Sequence, residues 1–348
     1  MKPAPVALLL TAMSTQAISP AAHYTATRKQ VDTIEVIELA DSAHRTTVVI
    51  APSIGNLAYE MKVNGKNAFW VPFSSLGEMK TRPALCGNPF LAPWANRLDQ
   101  DAFWANGKKY ALNPALGNFR RDGNQKPIHG LLAFSPLWKV VAVQADQRSA
   151  WMTSRLEFWK YPDLMAQFPI AHTIEMTYRL ANGTLEVDTA IENHAAEPMP
   201  VAVGYHPYFQ VHDAPRDNWK VHVAARAQVK LSPQLIPTGE QSAVALADPY
   251  PLTGTQLDDV FTDLIRGPDG RAEFWVEGKQ ERVSVIYGPK YTVAVVYAPK
   301  GRNFICFEPM SAPTNAFNLT QAGLYKDLQT IPPGGRWRES FWIATRGF

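Results

Sequence analysis

Cysteine is nearly absent: the chain has two in 348 residues, Cys86 and Cys306. Two are too few for a disulfide framework. No CxxC pair or Cys/His ligand spacing accompanies them, so no metal site is expected. Both read as small buried apolar side chains, with a single bridge as the alternative if the protein is exported. Charge is also scarce. Charged residues make up 19% of the chain and the formal net charge is +3, without a long basic run. That removes the electrostatic signature of a nucleic-acid or anionic-membrane partner. After the N-terminus no stretch approaches ~18 uninterrupted apolar residues, so no membrane-spanning helix is expected. The strings GxSxG, HExxH, GxxxxGK(S/T) and GxGxxG are missing. A serine elbow, a zincin and a phosphate loop lose their simplest support, and no nucleotide or other cofactor is implied.

Prolines and aromatics are abundant. There are 28 prolines and 10 tryptophans, and proline lacks the N–H that a helix interior needs. The dominant period is two. Leu185, Val187, Thr189 and Ile191 alternate with Glu186, Asp188 and Ala190, the mark of a strand with one wet face. Further β-type runs are "WKVVAV" at 138–143, "AEFWVEG" at 272–278, "RVSVIYG" at 282–288 and "YTVAVVYA" at 291–298, all rich in valine and aromatics. Asn64-Gly65, Asn106-Gly107, Asn182-Gly183 and Asp269-Gly270 are residue pairs that tolerate positive φ and favour hairpin turns. No helical stripe passes two turns, and no repeat of ~40–50 residues suggests a propeller. An all-β, mostly antiparallel fold with few short helices is predicted. No linker divides residues 23–348, which read as one domain. Before them, Lys2, the apolar run Val6–Met13 and small residues at Ala17 and Ala21 resemble a secretory signal peptide. A disordered tail is the other reading of residues 1–22. A signal would place the protein in the periplasm or outside the cell; without one it is cytoplasmic.

Five apolar, proline-punctuated strings carry the candidate chemistry. "NPFLAPWANRL" at 88–98 holds Asn96 and Arg97. Arg97 offers a rigid fork of donors for hydroxyls or a carboxylate, or a surface ion pair with its stem on Trp94. "IHGLLAFSPLW" at 128–138 places His129 before Gly130, where the backbone turns easily; a histidine satisfied in the core is the alternative. "PVAVGYHPYFQV" at 200–211 reads as a strand entering a kink, with Pro207 biasing His206 to an extended conformation. Tyr208 and Phe209 are candidates to wall a site there. "QLDDVFTDL" at 256–264 supplies Asp258 and Asp259, as acceptors for neighbouring hydroxyls or as turn formers. "FICFEPMSAPTNAFN" at 304–318 ends an apolar run on Glu308-Pro309, and a partly desolvated carboxylate there is a better base.

In this order the strings resemble the aldose 1-epimerase (galactose mutarotase) family, over about residues 45–345. "GYHPYF" and "CFEP…NAFN" are the specific matches. "FPIAHTIEMTYRL" and "NGKKYAL" also look like the family. The resemblance implies a galactose-mutarotase-type β-supersandwich, with His206 as general acid and Glu308 as general base. It implies that Asn96, Arg97, His129 and Asp258 hold the sugar; Asp258 rather than Asp259 lies three residues before Phe261, as the family's aspartate does. The expected partner is a small monosaccharide, without nucleic acid, metal or membrane span, bound by a monomer or dimer. A His/Glu pair implies a bell-shaped pH profile. The sugar-phosphate branch often carries "HGFAR", whereas Leu131 to Phe134 are apolar here. A free aldose is therefore expected, with a hexose 6-phosphate or a non-catalytic sugar-binding role as alternatives.

Overall fold

The computed structural model describes Met1 and residues 23–348; the signal-peptide or tail expectation falls on residues outside these. Every pair of named strands among the described residues is antiparallel, and the helices Leu76–Thr81, Pro162–Gln167 and Ala316–Gln321 have six residues each. The predicted runs are strands: Lys139–Ala145, Thr184–Asn193, Ala272–Glu277, Arg282–Tyr287 and Val293–Ala298. At the three Asn-Gly pairs both residues have positive φ, from 50° to 83°, the backbone that closes a two-residue hairpin.

Two large sheets lie face to face. One has nine strands, running from Lys139–Ala145 through Thr184–Asn193 and Arg336–Arg346 to Tyr250–Pro251. The other has eight, ordered Pro237–Ala243, Ala225–Leu231, Leu257–Leu264, Val293–Ala298, Ile305–Met310, Gly204–Tyr205 and Phe90–Leu91, with Tyr208–Phe209 also paired to Ile305–Met310. A five-stranded meander from Tyr24 to Asn67 packs on the first strands of the nine-stranded sheet. The two large sheets meet through rings such as Tyr205 against Phe341, with centroids 4.8 Å apart, and Phe274 against Phe307, 6.3 Å apart. The main core draws on all three sheets. Among the described residues no helix is long and apolar enough to cross a membrane.

All six residues of Ile305–Met310 are buried. Successive side chains on a strand face opposite ways, so Ile305 and Phe307 enter the inter-sheet core while Cys306 and Met310 join separate clusters on the other face. Glu308 shares the parity of Cys306 and Met310. It sits on the outer face of the eight-stranded sheet, where loops cover it.

Candidate active site

Strand parity assembles the site. Glu308 pairs in register with Val295, and Cys306 with Tyr297 and Tyr208. Tyr297 in turn pairs with Asp258. Asp258, Tyr297, Cys306 and Tyr208 thus form one row across the outer face, adjacent to Glu308. Asp259 has the opposite parity, and its carboxylate accepts a hydrogen bond from Gln228 Nε2 at 2.7 Å. Both aspartates lie within the strand Leu257–Leu264, so the turn-former reading is overturned. Parity also separates Tyr208 from Phe209: Tyr208 lines the cavity, while Phe209 pairs with Ile305 and is buried against Phe69. Trp94 is 1% exposed in the main core and does not line the cavity. The strand carrying Glu308 does not end there, as the apolar run suggested, but continues to Met310.

The cavity above this row has a volume of ≈210 Å³ and is lined by Asn96, Arg97, His129, His206, Asp258 and Glu308, with Leu85, Ile128, Tyr208, Val295 and Tyr297 as its remaining walls. All six sequence-predicted residues therefore converge. His206 Nε2 lies 3.2 Å from Glu308 Oε1, with both side chains buried. The His206 ring stacks on Tyr208 at 4.7 Å and 10°, and His129 meets it edge-on at 5.3 Å. The approach to His206 is fixed by backbone bonds on both sides: its N–H donates to Pro89 O at 3.0 Å, and Tyr208 N–H donates to Gly87 O at 2.8 Å.

Loops position the other groups. Asn96 and His129 both have positive φ, 58° and 64°, and His129 N–H donates to Asn96 O at 2.8 Å. Such backbone is sparsely populated for non-glycine residues and persists only where surroundings over-determine it. Gly130, also at positive φ, lies so close to the loop before Trp94 that a Cβ would stand 2.2 Å from Ala92 O. Arg97 Nε donates to Asp122 Oδ2 at 2.6 Å, and its Nη1 to Asn96 Oδ1 at 3.0 Å. Asp122 Oδ1 accepts from the backbone N–H groups of Asn124 and Lys126. The ion pair considered for Arg97 is real, but the side chain is only 14% exposed and belongs to the cavity.

Burial dominates the electrostatics. It pushes His206 down to about 3, helped by the positive charges of Arg120 and Arg97. It holds His129 well below the usual histidine range, reinforced by His206 and Arg120. It lifts Glu308 well above the ordinary carboxylate range, with Asp258 adding repulsion against a partial offset from Arg97. Asp258 is likewise raised by burial. Asp122 goes the other way: burial raises it, but hydrogen bonds from Arg97 and the backbone outweigh that. Glu308 Oε2, His206 Nδ1 and His129 Nδ1 are buried without a protein hydrogen-bond partner. Each such group costs ~1–3 kcal/mol, and a polyhydroxylated ligand has the donors and acceptors to recover that cost. Among the described residues no group of three or more His, Cys, Asp or Glu side chains has the arrangement to hold a metal.

Sequence reasoning missed Asp122 and Tyr297. The alternation of "YTVAVVYA" offered a signal for Tyr297, since it shares the parity of Val293 and Val295. Asp122 stands in a "DGN" turn string, and nothing in it announces a partner for Arg97. Cys86 and Cys306 are both free and buried.

The family model for aldose 1-epimerase matches residues 35–344. The chain is 24% identical over 294 residues to an Escherichia coli K12 protein named uncharacterized protein YihR, covering 80% of this chain and 84% of that one. Among solved structures it is similar to a galactose mutarotase-like protein from Clostridium acetobutylicum, with a TM-score of 0.82 at 22% identity over 94% of this chain and 99% of that one. It also resembles the galactose 1-epimerase of Lactobacillus acidophilus NCFM, with a TM-score of 0.71 at 14% identity over 94% and 100% of the two chains.

Proposed function

The chain belongs to the aldose 1-epimerase family, and from that premise we propose that it interconverts the α and β anomers of free aldoses by opening and reclosing the sugar ring. The observation that carries this reading is the 3.2 Å contact between His206 Nε2 and Glu308 Oε1 inside a ≈210 Å³ cavity. The volume is below the ~300–1,000 Å³ of sites for drug-sized ligands and suits one pyranose.

Glu308 takes the proton of the anomeric hydroxyl while His206 gives one to the ring oxygen, and the C1–O5 bond breaks. Rotation about C1–C2 presents the other face of the aldehyde. On reclosure His206 recovers its proton from O5 and Glu308 returns the other to O1, so proton count balances over the cycle. Arg97, held by Asp122, and His129, Asn96 and Asp258 take the remaining hydroxyls. The two arrangements, Glu⁻ with HisH⁺ and GluH with His, contain the same single proton. The working state is therefore set by the pair's macroscopic titrations and not by either residue alone. The rate falls in acid as the pair gains a second proton and in alkali as it loses its only one. With both groups unperturbed the carboxyl would set the acid limb near ~4.3 and the histidine the alkaline limb near ~6.5. Burial lowers His206 to about 3 and raises Glu308, so the histidine sets the acid limb and the carboxyl the alkaline one, with the single proton resting mainly on Glu308.

Arg120 favours a second reading, a hexose 6-phosphate. Its charge is felt at both His129 and His206, and it has no acidic partner among the described residues. Polarimetry of freshly dissolved α-glucose, α-galactose and α-glucose 6-phosphate separates the substrates. Wild type is expected to accelerate a free aldose, and His206→Asn and Glu308→Gln are each expected to lose about 10²–10⁴ in rate. If both variants keep the wild-type rate, the acid/base assignment is wrong. Sugar binding without acceleration by wild type would leave a binding module.

A further inference from the structure

The chemistry assigned to His206 needs its imidazole turned so that Nε2 faces Glu308. A catalytic histidine is ordinarily held in such a pose through its other nitrogen, by a hydrogen bond to a carboxylate or a backbone carbonyl. His206 is not: its Nδ1 is buried without a hydrogen-bond partner among the described residues. The torsion that turns a histidine ring is broad and roughly two-fold, so packing has to set the plane of this one.

The local sequence supplies that packing. Pro207 keeps His206 extended, and residues two apart on an extended chain project to the same side. His206 and Tyr208 therefore stand next to each other. Their rings lie nearly parallel, 10° apart in plane with centroids 4.7 Å apart. Tyr208 itself has little room to yield. Its N–H donates to Gly87 O at 2.8 Å and its carbonyl accepts from Trp70 N–H at 2.9 Å. Its ring also stacks on Trp70, with centroids 5.8 Å apart, and meets Phe304 edge-on at 5.0 Å. Around the imidazole, His129 and Tyr297 stand edge-on at 5.3 and 6.1 Å. An imidazole rotated out of the stack would run into these neighbours. Of the two flips allowed within the stacked plane, the one present puts Nε2 3.2 Å from Glu308 Oε1.

We propose that Tyr208 is a positioning residue for the acid/base pair: its clamped ring sets the plane of the His206 imidazole by stacking, in place of a hydrogen bond at Nδ1. The role needs the aromatic face of Tyr208 and not its hydroxyl. Its effect on rate rests on the mutarotase reading; its effect on the imidazole rests on the stack alone.

The test compares wild type with Tyr208→Phe, Tyr208→Leu and Tyr208→Met. Leu and Met remove the flat face and keep an apolar side chain, so either one that folds will serve. Polarimetry per folded molecule gives kcat and KM. Proton–carbon NMR of histidine-labelled protein, assigned with His206→Asn, reads the imidazole directly, because ring protons held over an aromatic face resonate upfield. Tyr208→Phe is expected to keep the upfield resonances and to keep kcat within about twofold, while Leu and Met lower kcat about 10- to 100-fold with KM within about threefold. In Leu and Met the His206 resonances are expected to move towards those of a free imidazole. A loss carried by KM alone would make Tyr208 a sugar contact and overturn the proposal. So would an equal loss of kcat in Tyr208→Phe, which would place the role in the hydroxyl, and so would lowered stability with kcat unchanged. If wild type accelerates no sugar, the mutarotase reading fails by itself, and NMR still decides: resonances that move in Leu or Met but not in Phe support the stack, and resonances unchanged in every variant overturn it.

Discussion

A histidine and a glutamate in contact, both buried, make a pair whose folded-state titrations differ from those of the unfolded chain. His206 binds its proton at about 3 in the folded protein and near ~6.5 once unfolded. Between those values the unfolded chain holds more protons, so the stability this residue contributes is present above ~6.5 and is lost as pH falls. Glu308 has the opposite sign. Its raised folded pKa makes the folded chain hold the extra proton, and stability drains as pH rises above the ordinary carboxylate value. His206→Asn should therefore reduce the loss of stability between pH 7 and 5 by roughly 2 kcal/mol, while Glu308→Gln should gain relative to wild type as pH rises from 5 to 8. Urea midpoints at the three pH values measure both. Curves parallel to wild type would mean that the two groups titrate alike in the folded and unfolded chain, and would overturn the burial-driven shifts. At this scale the sequence was informative: His206 beside Pro207 and Glu308 at an apolar terminus stood out. Their contact was not visible, because alternation says which face a side chain takes and not which distant strand lies beside it.

The strand Ile305–Met310 and the kinked segment 199–209 depend on close backbone approach as well as on side chains. A Cβ added at Gly204 would stand 2.8 Å from Met310 Cγ and 2.9 Å from Pro309 O. Gly204→Ala should thus push the segment away from the strand that carries Glu308, two residues before His206. Overpacking of this kind costs about 1–3 kcal/mol, and the same displacement should lower the mutarotation rate without raising KM in proportion. Calorimetry and polarimetry together check it; an unchanged rate with lowered stability would show that His206 is placed by its other contacts. Element identities were legible wherever a period and a turn agreed, as between Asn182-Gly183 and the alternation of Leu185 to Ile191. Phe209 was not, because a ring next to a polar group in sequence can face either side of a sheet. Asp258 became readable only once Tyr297 and Cys306 lay in its row.

Across the whole molecule, the two large sheets and the meander share one core cluster. The mutual order of the strands was beyond sequence patterning: Ile305–Met310 lies between Val293–Ala298, a near neighbour in sequence, and the segments Gly204–Tyr205 and Tyr208–Phe209, about a hundred residues earlier. Pairing on both sides, with both faces covered, gives this strand no free edge. Local opening draws on segments with few buried contacts, and this strand is the reverse. Its amides, Cys306 to Glu308 in particular, should exchange with deuterium only through global unfolding, at a protection equal to the stability from denaturant titration. The exposed strand Pro237–Ala243 at the sheet margin should exchange orders of magnitude sooner. Loss of activity on heating should then coincide with loss of the fold itself, since the carboxylate sits on a segment that has no partial way to come apart.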